Sequence, residues 1–358
     1  MPESAFVARL SGDEFVVLLD NINDVTAVAD LAGKIIAIFQ KPFDLGENTM
    51  TLSASVGYAS AADNRRGPEQ IVHQADVAMY HAKTSRARSA VRYDPELENA
   101  SARKKQIEIA IRDGLAAEEF QVVYQPIVRA EDKSIDSVEA LVRWKSGDIG
   151  PISPGEFIPI AESAGLAIDI DALVMREACE LISQNPGLRL NLNMSSTLFQ
   201  TPDHVRKLNA VLAEFGTPAD QIELELTEHM IMEDPEAATE QLHRLKTAGF
   251  RLAIDDFGTG YSNISHLQDL PLDRLKIDGR FVTDLGRSTR ANNLFLSMIT
   301  MGNALDLTIV AEGIETRQQG ELLAMLGCHY LQGYHFARPM PADDFHVHLQ
   351  EMPARARA

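Results

Sequence analysis

The residues with most chemistry to offer are carboxylates at the ends of short β-rich runs. Glu139, Glu225, Asp255 and Glu312, with the amide of Asn193, each fall in a different run. Side chains along a strand alternate between two faces. Leu190, Leu192 and Met194 take one face, which puts Asn191, Asn193 and Ser195 on the other. By the same count Glu139 and Arg143 oppose Val138, Ala140 and Val142, Glu223 and Glu225 oppose Leu224 and Leu226, and Asp255 opposes Leu252 and Ile254. Lys276 faces inward between Leu275 and Ile277. Carboxylates gathered in one pocket repel each other unless cations bind them. Oxygen donors without a His or Cys cluster select magnesium or manganese over zinc. Asp256 is thrown outward by alternation and joins the set only if the strand ends and turns at Asp255, a turn for which Gly258 and Gly260 are suited. Each element has a plainer account: a strand-end Glu is commonly solvated, Asp-Asp is a common loop pair, and Asn193 could satisfy buried backbone. Five such residues on five strands, at one parity and one end, argue for a site. Glu228 and Glu315 each stand three residues after a candidate ligand and either hydrogen-bond loop backbone or touch the metal.

Positioning these residues requires eight runs: Gln121–Val128, Ser137–Trp144, Arg189–Ser195, Ile222–Thr227, Arg251–Asp256, Arg274–Ile277, Leu307–Glu312 and Tyr330–Phe336. Helical stretches such as Asp169–Gln184, Pro235–Ala248, Asn292–Ala304 and Thr316–Leu326 lie between them. Eight βα units in about 250 residues is the dimension of a TIM-like (β/α)8 barrel, whose active sites sit at the C-terminal ends of the strands. The first hundred residues form a separate α/β piece. There Phe6–Leu10 and Phe15–Leu19 flank a Gly-containing turn, helical spacing covers Asp24–Phe39 and Pro68–Ala82, and Met50–Ala59 reads as a strand. The Arg-, Lys- and Ser-rich stretch from Thr84 to Lys105, which includes Pro95, marks the boundary near residue 100.

The 358 residues carry 52 acids and 33 bases, a net charge of −19, with −5 on residues 1–100 (14 acids, 9 bases) and −14 on the rest (38 and 24). Such a balance argues against polymeric nucleic acid, which needs a basic face. No apolar run approaches the ~18 residues of a membrane span, and the N-terminus lacks a basic-then-apolar signal peptide. Two cysteines, Cys179 and Cys328, are too few for a disulfide framework, so a reduced cytoplasmic setting is expected. The ten histidines are scattered and form no His-x-x-x-His pair.

Residues 105–350 resemble EAL domains, the cyclic di-GMP phosphodiesterases. The resemblance is carried by Glu139-Ala140-Leu141-Val142-Arg143-Trp144, Tyr124-Gln125-Pro126-Ile127, Asn193-Met194-Ser195 and Glu225-Leu226-Thr227-Glu228. It continues through Asp255-Asp256-Phe257-Gly258-Thr259-Gly260-Tyr261-Ser262, Leu275-Lys276-Ile277-Asp278, Ala311-Glu312-Gly313-Ile314-Glu315-Thr316 and Gln332-Gly333-Tyr334. It implies hydrolysis of cyclic di-GMP to linear pGpG, with two divalent ions, Mg2+ or Mn2+, held by Glu139, Asn193, Glu225, Asp255, Asp256 and Glu312. Two ions roughly 4 Å apart activate a water and stabilise both attacking and leaving oxygens. Gln125, Leu141, Arg143 and Gln332 would contact substrate or order the site, and Lys276 would act with Glu139, Asp255 and Glu312 in catalysis. Lys276 could orient the attacking water or, if deprotonated, serve as its base; a plain ion pair is the alternative. Asp256–Asn263 resembles a mobile loop that couples dimerisation to metal binding, anchored by Glu228 and Glu315, and family members commonly form homodimers through the barrel.

The first hundred residues resemble the C-terminal half of a GGDEF, or diguanylate cyclase, domain. The matching stretches are Arg9-Leu10-Ser11-Gly12-Asp13-Glu14-Phe15, Ser53-Ala54-Ser55-Val56-Gly57 and Ala75-Asp76-Val77-Ala78-Met79-Tyr80-His81-Ala82-Lys83. Ser11 stands where the signature's first Gly belongs, the Arg-x-x-Asp inhibition motif would fall on Pro2 and Ala5, and Ser85-Arg86-Ala87-Arg88 replaces the usual Gly-Arg-Asn. The half-domain supplying the first metal-binding Asp is absent, so no cyclase activity is expected. The expected layout is a partial α/β GGDEF unit (1–98), a helical linker (99–108) and the EAL barrel (109–352). A non-catalytic cyclic di-GMP receptor is the alternative to the phosphodiesterase, and a bifunctional synthase–hydrolase would need GTP to be turned over.

Overall fold

The computed structural model describes residues 5–20, 25–44, 46, 49–50, 52–60, 67–84, 89–259, 264–286 and 288–351. The chain divides into two compact units, Met1–Ile107 and Glu108–Ala358, and the division falls inside the helix Pro95–Ala116.

In the first unit β1 (Ala5–Ser11) and β2 (Glu14–Leu19) form the expected antiparallel hairpin, turned at Gly12 with φ 47°. Helices Val25–Phe39 and Pro68–Thr84 follow the apolar spacing of their sequences. The run expected as one strand from Met50 to Ala59 is broken. Among its described residues the named strand pairings are β4 (Thr49–Met50) against β3 (Phe43–Asp44), and β5 (Gly57–Tyr58) against β6 (Val91–Arg92). A β-rich sequence becomes a strand only where a neighbour accepts its hydrogen bonds. The stretch Ser85–Arg88 and residues 1–4 lie outside the described residues.

In the second unit eight strands close a barrel. They are β7 (Phe120–Arg129), β8 (Ile135–Ser146), β10 (Arg189–Asn193), β11 (Ile222–Thr227), β12 (Arg251–Phe257), β13 (Arg274–Ile277), β14 (Thr308–Ala311) and β15 (Tyr330–Leu331). A short strand, β9 (Gly150–Ile152), pairs with the end of β8, and the β8–β10 pairing closes the ring. The regular βα alternation fails at the first strand, because β7 runs antiparallel to both β8 and β15. The cause is the connection. Five residues join β7 to β8, and a parallel crossover needs a dozen or more. Asp132 accepts from the Ser134 backbone N–H and hydroxyl at 2.9 and 2.6 Å, and Lys133 takes φ 63°, which closes the hairpin.

The helix-facing side chains Leu190, Leu192, Leu224, Leu226, Ile254, Leu275, Ile277 and Ile309 are all buried. Each contributes about 1.5–3 kcal/mol relative to an exposed position. This outward packing fixes strand parity, and so commits the alternate residues to the barrel interior. At the rim the chain segments leaving β13, β14 and β15 lie backbone on backbone. A Cβ on Gly313, whose φ is 66°, would approach the Gly279 Cα to 2.7 Å, and one on Gly333 would meet the Ile314 backbone at 2.2 Å. Only glycine permits that approach.

Candidate active site

The inward parity of β8, β11, β12 and β13 brings its charged residues to one point. Lys276 Nζ lies 2.6 Å from Glu225 Oε2, 2.8 Å from Glu312 Oε1, 3.2 Å from Asp255 Oδ1 and 3.6 Å from Glu139 Oε2. The lysine is 1% exposed. Burial pulls its pKa down, but the four carboxylates outweigh burial and hold it well above the ordinary lysine value. Its surroundings therefore favour the charged ammonium over the neutral amine.

The acids divide according to their other partners. Glu139 accepts from Asn193 Nδ2 at 2.8 Å and from Gln332 Nε2 at 2.6 Å. Burial raises its pKa, yet the lysine and these donors hold it below the usual range. Burial and then the charge of Glu139 push Glu225 well up. Burial raises Glu312 to about 8, with Lys276 opposing and the neighbouring acids Asp255 and Glu139 assisting. The cluster sets four carboxyl groups against one ammonium.

Asp256 reaches the same cluster by a different route from the expected turn. The strand continues to Phe257, but its pairing with β13 shifts register between Ile254 and Phe257, and Asp256 adopts φ 53°. Asp tolerates that left-handed conformation better than most residues, and the irregularity re-aims its side chain. Carboxylate oxygens of Asp255, Asp256 and Glu312 then lie within 4.8 Å of one another. Burial, the Asp255 charge and a hydrogen bond with Asp278 raise Asp256 to about 6. An all-oxygen set of clustered acids fits hard divalent cations, so the donor chemistry agrees with Mg2+ or Mn2+.

Around this core Gln332 also donates to Gln125 Oε1 at 3.2 Å, and Gln125 donates to the Ala337 carbonyl at 3.0 Å. Gln125 stands opposite Glu139 because β7 is reversed. Arg143 is half-buried, with its guanidinium donating to the Val142 carbonyl at 2.8 Å, and Leu141 is part-exposed on the same strand. Glu228 accepts from the Gly258 backbone N–H at 3.2 Å, tying the segment after β12. The Glu315 carboxylate is exposed, and its backbone N–H donates to Gln319. Of the Asp256–Asn263 loop, residues 260–263 lie outside the described residues.

The family model of the EAL domain matches residues 108–339, and that of the diguanylate cyclase GGDEF domain matches residues 1–89. The chain belongs to the EAL-domain family. It is 35% identical to the signaling protein YkoW of Bacillus subtilis over 360 residues, which is 99% of this chain and 45% of YkoW. It is also 35% identical to the bifunctional diguanylate cyclase/cyclic di-GMP phosphodiesterase MucR of Pseudomonas aeruginosa over 343 residues, 94% of this chain and 50% of MucR. The chain thus spans about half the length of these curated relatives. Among solved structures, the PaMucR phosphodiesterase in complex with c-di-GMP matches with a TM-score of 0.64 and 35% identity, over 67% of this chain and 99% of that one.

Three features of the EAL barrel escaped the sequence reading. Asp171 accepts from the Ser195 hydroxyl at 2.5 Å, and burial raises its pKa to about 7. Beneath the acid cluster, Arg274 pairs with Asp136 and Glu223. Asn191, recognised only as inward-facing, donates to both Glu223 and Glu225. Alternation gave the orientation of Asn191 and Glu223. Their partners depend on strand stagger, which sequence does not display.

Proposed function

We propose that this chain hydrolyses cyclic di-GMP to linear pGpG with two divalent ions, Mg2+ or Mn2+, held by Glu139, Asn193, Glu225, Asp255, Asp256 and Glu312. The observation that supports it is the convergence of four carboxylates on the buried Lys276 ammonium at the barrel rim, with Asp256 brought alongside. A phosphodiester anion is repelled by such a cluster until added positive charge reverses the local field. Bound divalent ions would supply that charge, polarise the phosphoryl group and make water acidic. The protein's own residues do the rest. Lys276, held protonated, donates to and orients the attacking water. Glu139 is kept ionised and fixed by Asn193 and Gln332. Arg143 offers a half-buried guanidinium to a phosphate, beside the Gln125–Gln332 pair and Leu141.

The reading includes a GGDEF unit that does not synthesise cyclic di-GMP, a cytoplasmic location, in keeping with free buried Cys179 and Cys328, and a homodimer through the barrel. The test is incubation of the purified chain with cyclic di-GMP and Mn2+ or Mg2+, with pGpG quantified by chromatography. Turnover is expected, and Glu139→Ala should abolish it. Binding without pGpG would make the chain a receptor, and unchanged turnover in Glu139→Ala would refute the ligand assignment. GTP should yield no cyclic di-GMP.

A further inference from the structure

Glu223 and Glu225 lie on one face of β11, two residues apart, and are 3% and 1% exposed. Two carboxyl groups so placed in a dry interior need hydrogen-bond donors for their oxygens. Asn191, fully buried on the neighbouring strand, meets that requirement. Its Nδ2 donates to Glu223 Oε1 at 2.7 Å and to Glu225 Oε1 at 2.9 Å, which uses both amide hydrogens. A hydroxyl has one hydrogen and could hold only one of the two, and a carboxylate has no hydrogen to give.

The chain of contacts continues at both ends. Below, Glu223 Oε1 lies 3.0 Å from Arg274 Nη1, and Arg274 Nη2 lies 3.1 Å from Asp136 Oδ2. Asp136 is further gripped by Arg129 and Arg189, and the Arg274 guanidinium lies over the Tyr330 ring, 4.3 Å from its centroid. Above, the other Glu225 oxygen takes the Lys276 ammonium at 2.6 Å. Glu225 is thus held by its two oxygens from two directions. One hold, Lys276, belongs to the acid cluster. The other runs through Asn191 to the barrel floor and does not depend on what occupies the cluster.

We propose that Asn191 is a positioning residue that fixes the Glu225 carboxylate for cation binding, with Glu223 and Arg274 as its anchor. The inference rests on the reading that Glu225 holds a divalent ion. If Asn191 is lost, Glu225 loses its hold on the barrel floor while keeping its bond to Lys276, and its carboxylate turns toward the ammonium and away from an incoming ion. Loss of a group that orients a metal ligand typically weakens metal binding roughly 10–100-fold.

The test is calorimetric titration of Mn2+ into the metal-stripped 358-residue chain, wild type against Asn191→Leu and Asn191→Ser, with circular dichroism to verify folding. Asn191→Leu is expected to weaken Mn2+ binding by roughly 10–100-fold, and Asn191→Ser by less, since one hydrogen remains. Turnover should recover as Mn2+ is raised, with the KM for cyclic di-GMP little changed. A purely structural role predicts a lower melting temperature with Mn2+ affinity intact, and that result in either folded variant overturns the proposal. Asn191→Ser, the smaller change, decides the matter if the leucine variant does not fold. A wild-type chain that takes up no Mn2+ overturns the metal reading itself, and this inference with it.

Discussion

Replacing Lys276 with methionine tests the electrostatics of the site without touching a proposed metal ligand. The side chain is 1% exposed, and its ammonium lies 2.6–3.6 Å from four carboxylates. Removing one partner of a buried ionic group leaves uncompensated charge and costs about 3–5 kcal/mol. At roughly 2–4 °C per kcal/mol for a unit of this size, the barrel's melting temperature should fall on the order of 10 °C in chelator at about pH 8.5. The loss should depend on pH with a definite sign. Even with the lysine present, burial holds Glu225 well above the usual carboxyl range and Glu312 at about 8, and loss of the ammonium, which lowers both, should raise them further. A raised carboxyl pKa means that the native state binds more protons, so stability falls as pH rises toward the native pKa and is recovered as pH falls. The gap between variant and wild type should therefore narrow at about pH 5, near the unfolded carboxyl values. Mn2+ should also narrow it, because an ion that binds only the native state stabilises it. Thermal unfolding followed by circular dichroism at both pH values, with and without Mn2+, supplies the comparison. A variant that melts with the wild type at the higher pH in chelator would refute the reasoning, since the four acids would then not need the lysine's charge.

Asp136→Ala should lose about 3–5 kcal/mol in urea titration, because it strips buried Arg274 of one counter-charge and releases Arg129 and Arg189 as well; an unchanged urea midpoint would mean the floor network is energetically idle. Asp171, raised to about 7 chiefly by burial and opposed by its bond from Ser195, makes the fold less stable as pH rises from about 3.9, the unfolded value, toward 7. Asp171→Asn cannot ionise and should flatten stability over that window, which denaturant unfolding at several pH values would reveal; a slope equal to that of the wild type would clear Asp171 of the effect.

Much of the barrel was legible because period-two alternation survives in parallel strands whose outer face is packed by helices. Leucines at 190, 192, 224 and 226 fix the face of Asn193 and Glu225 without any knowledge of neighbours. Alternation failed where the backbone departs from regular strand geometry. Asp256 joins the acids through a left-handed residue within β12, while the sequence offered only a turn after Asp255. The reversed first strand was in principle readable, since Ala130–Ser134 is too short for a crossover, but a count of strands and helices does not register the direction of each strand. The floor network was the hardest to see. Arg274, Asp136 and Glu223 come from three separate strands, and their meeting is set by barrel stagger.

The contacts of Gly313 with Gly279 and of Gly333 with Ile314 bear on how this barrel can diverge. Where successive strand exits touch through bare backbone, a single added methyl is excluded, and an inserted segment would have to pry the exits apart. That arc of the rim is closed to the loop growth by which barrel enzymes usually acquire new specificities. Novelty is expected instead on the opposite arc, through the segments that leave β8, β10 and β11. Selection acting there can alter what is admitted to the mouth while Lys276 and Glu312, seated on the closed arc, keep their spacing.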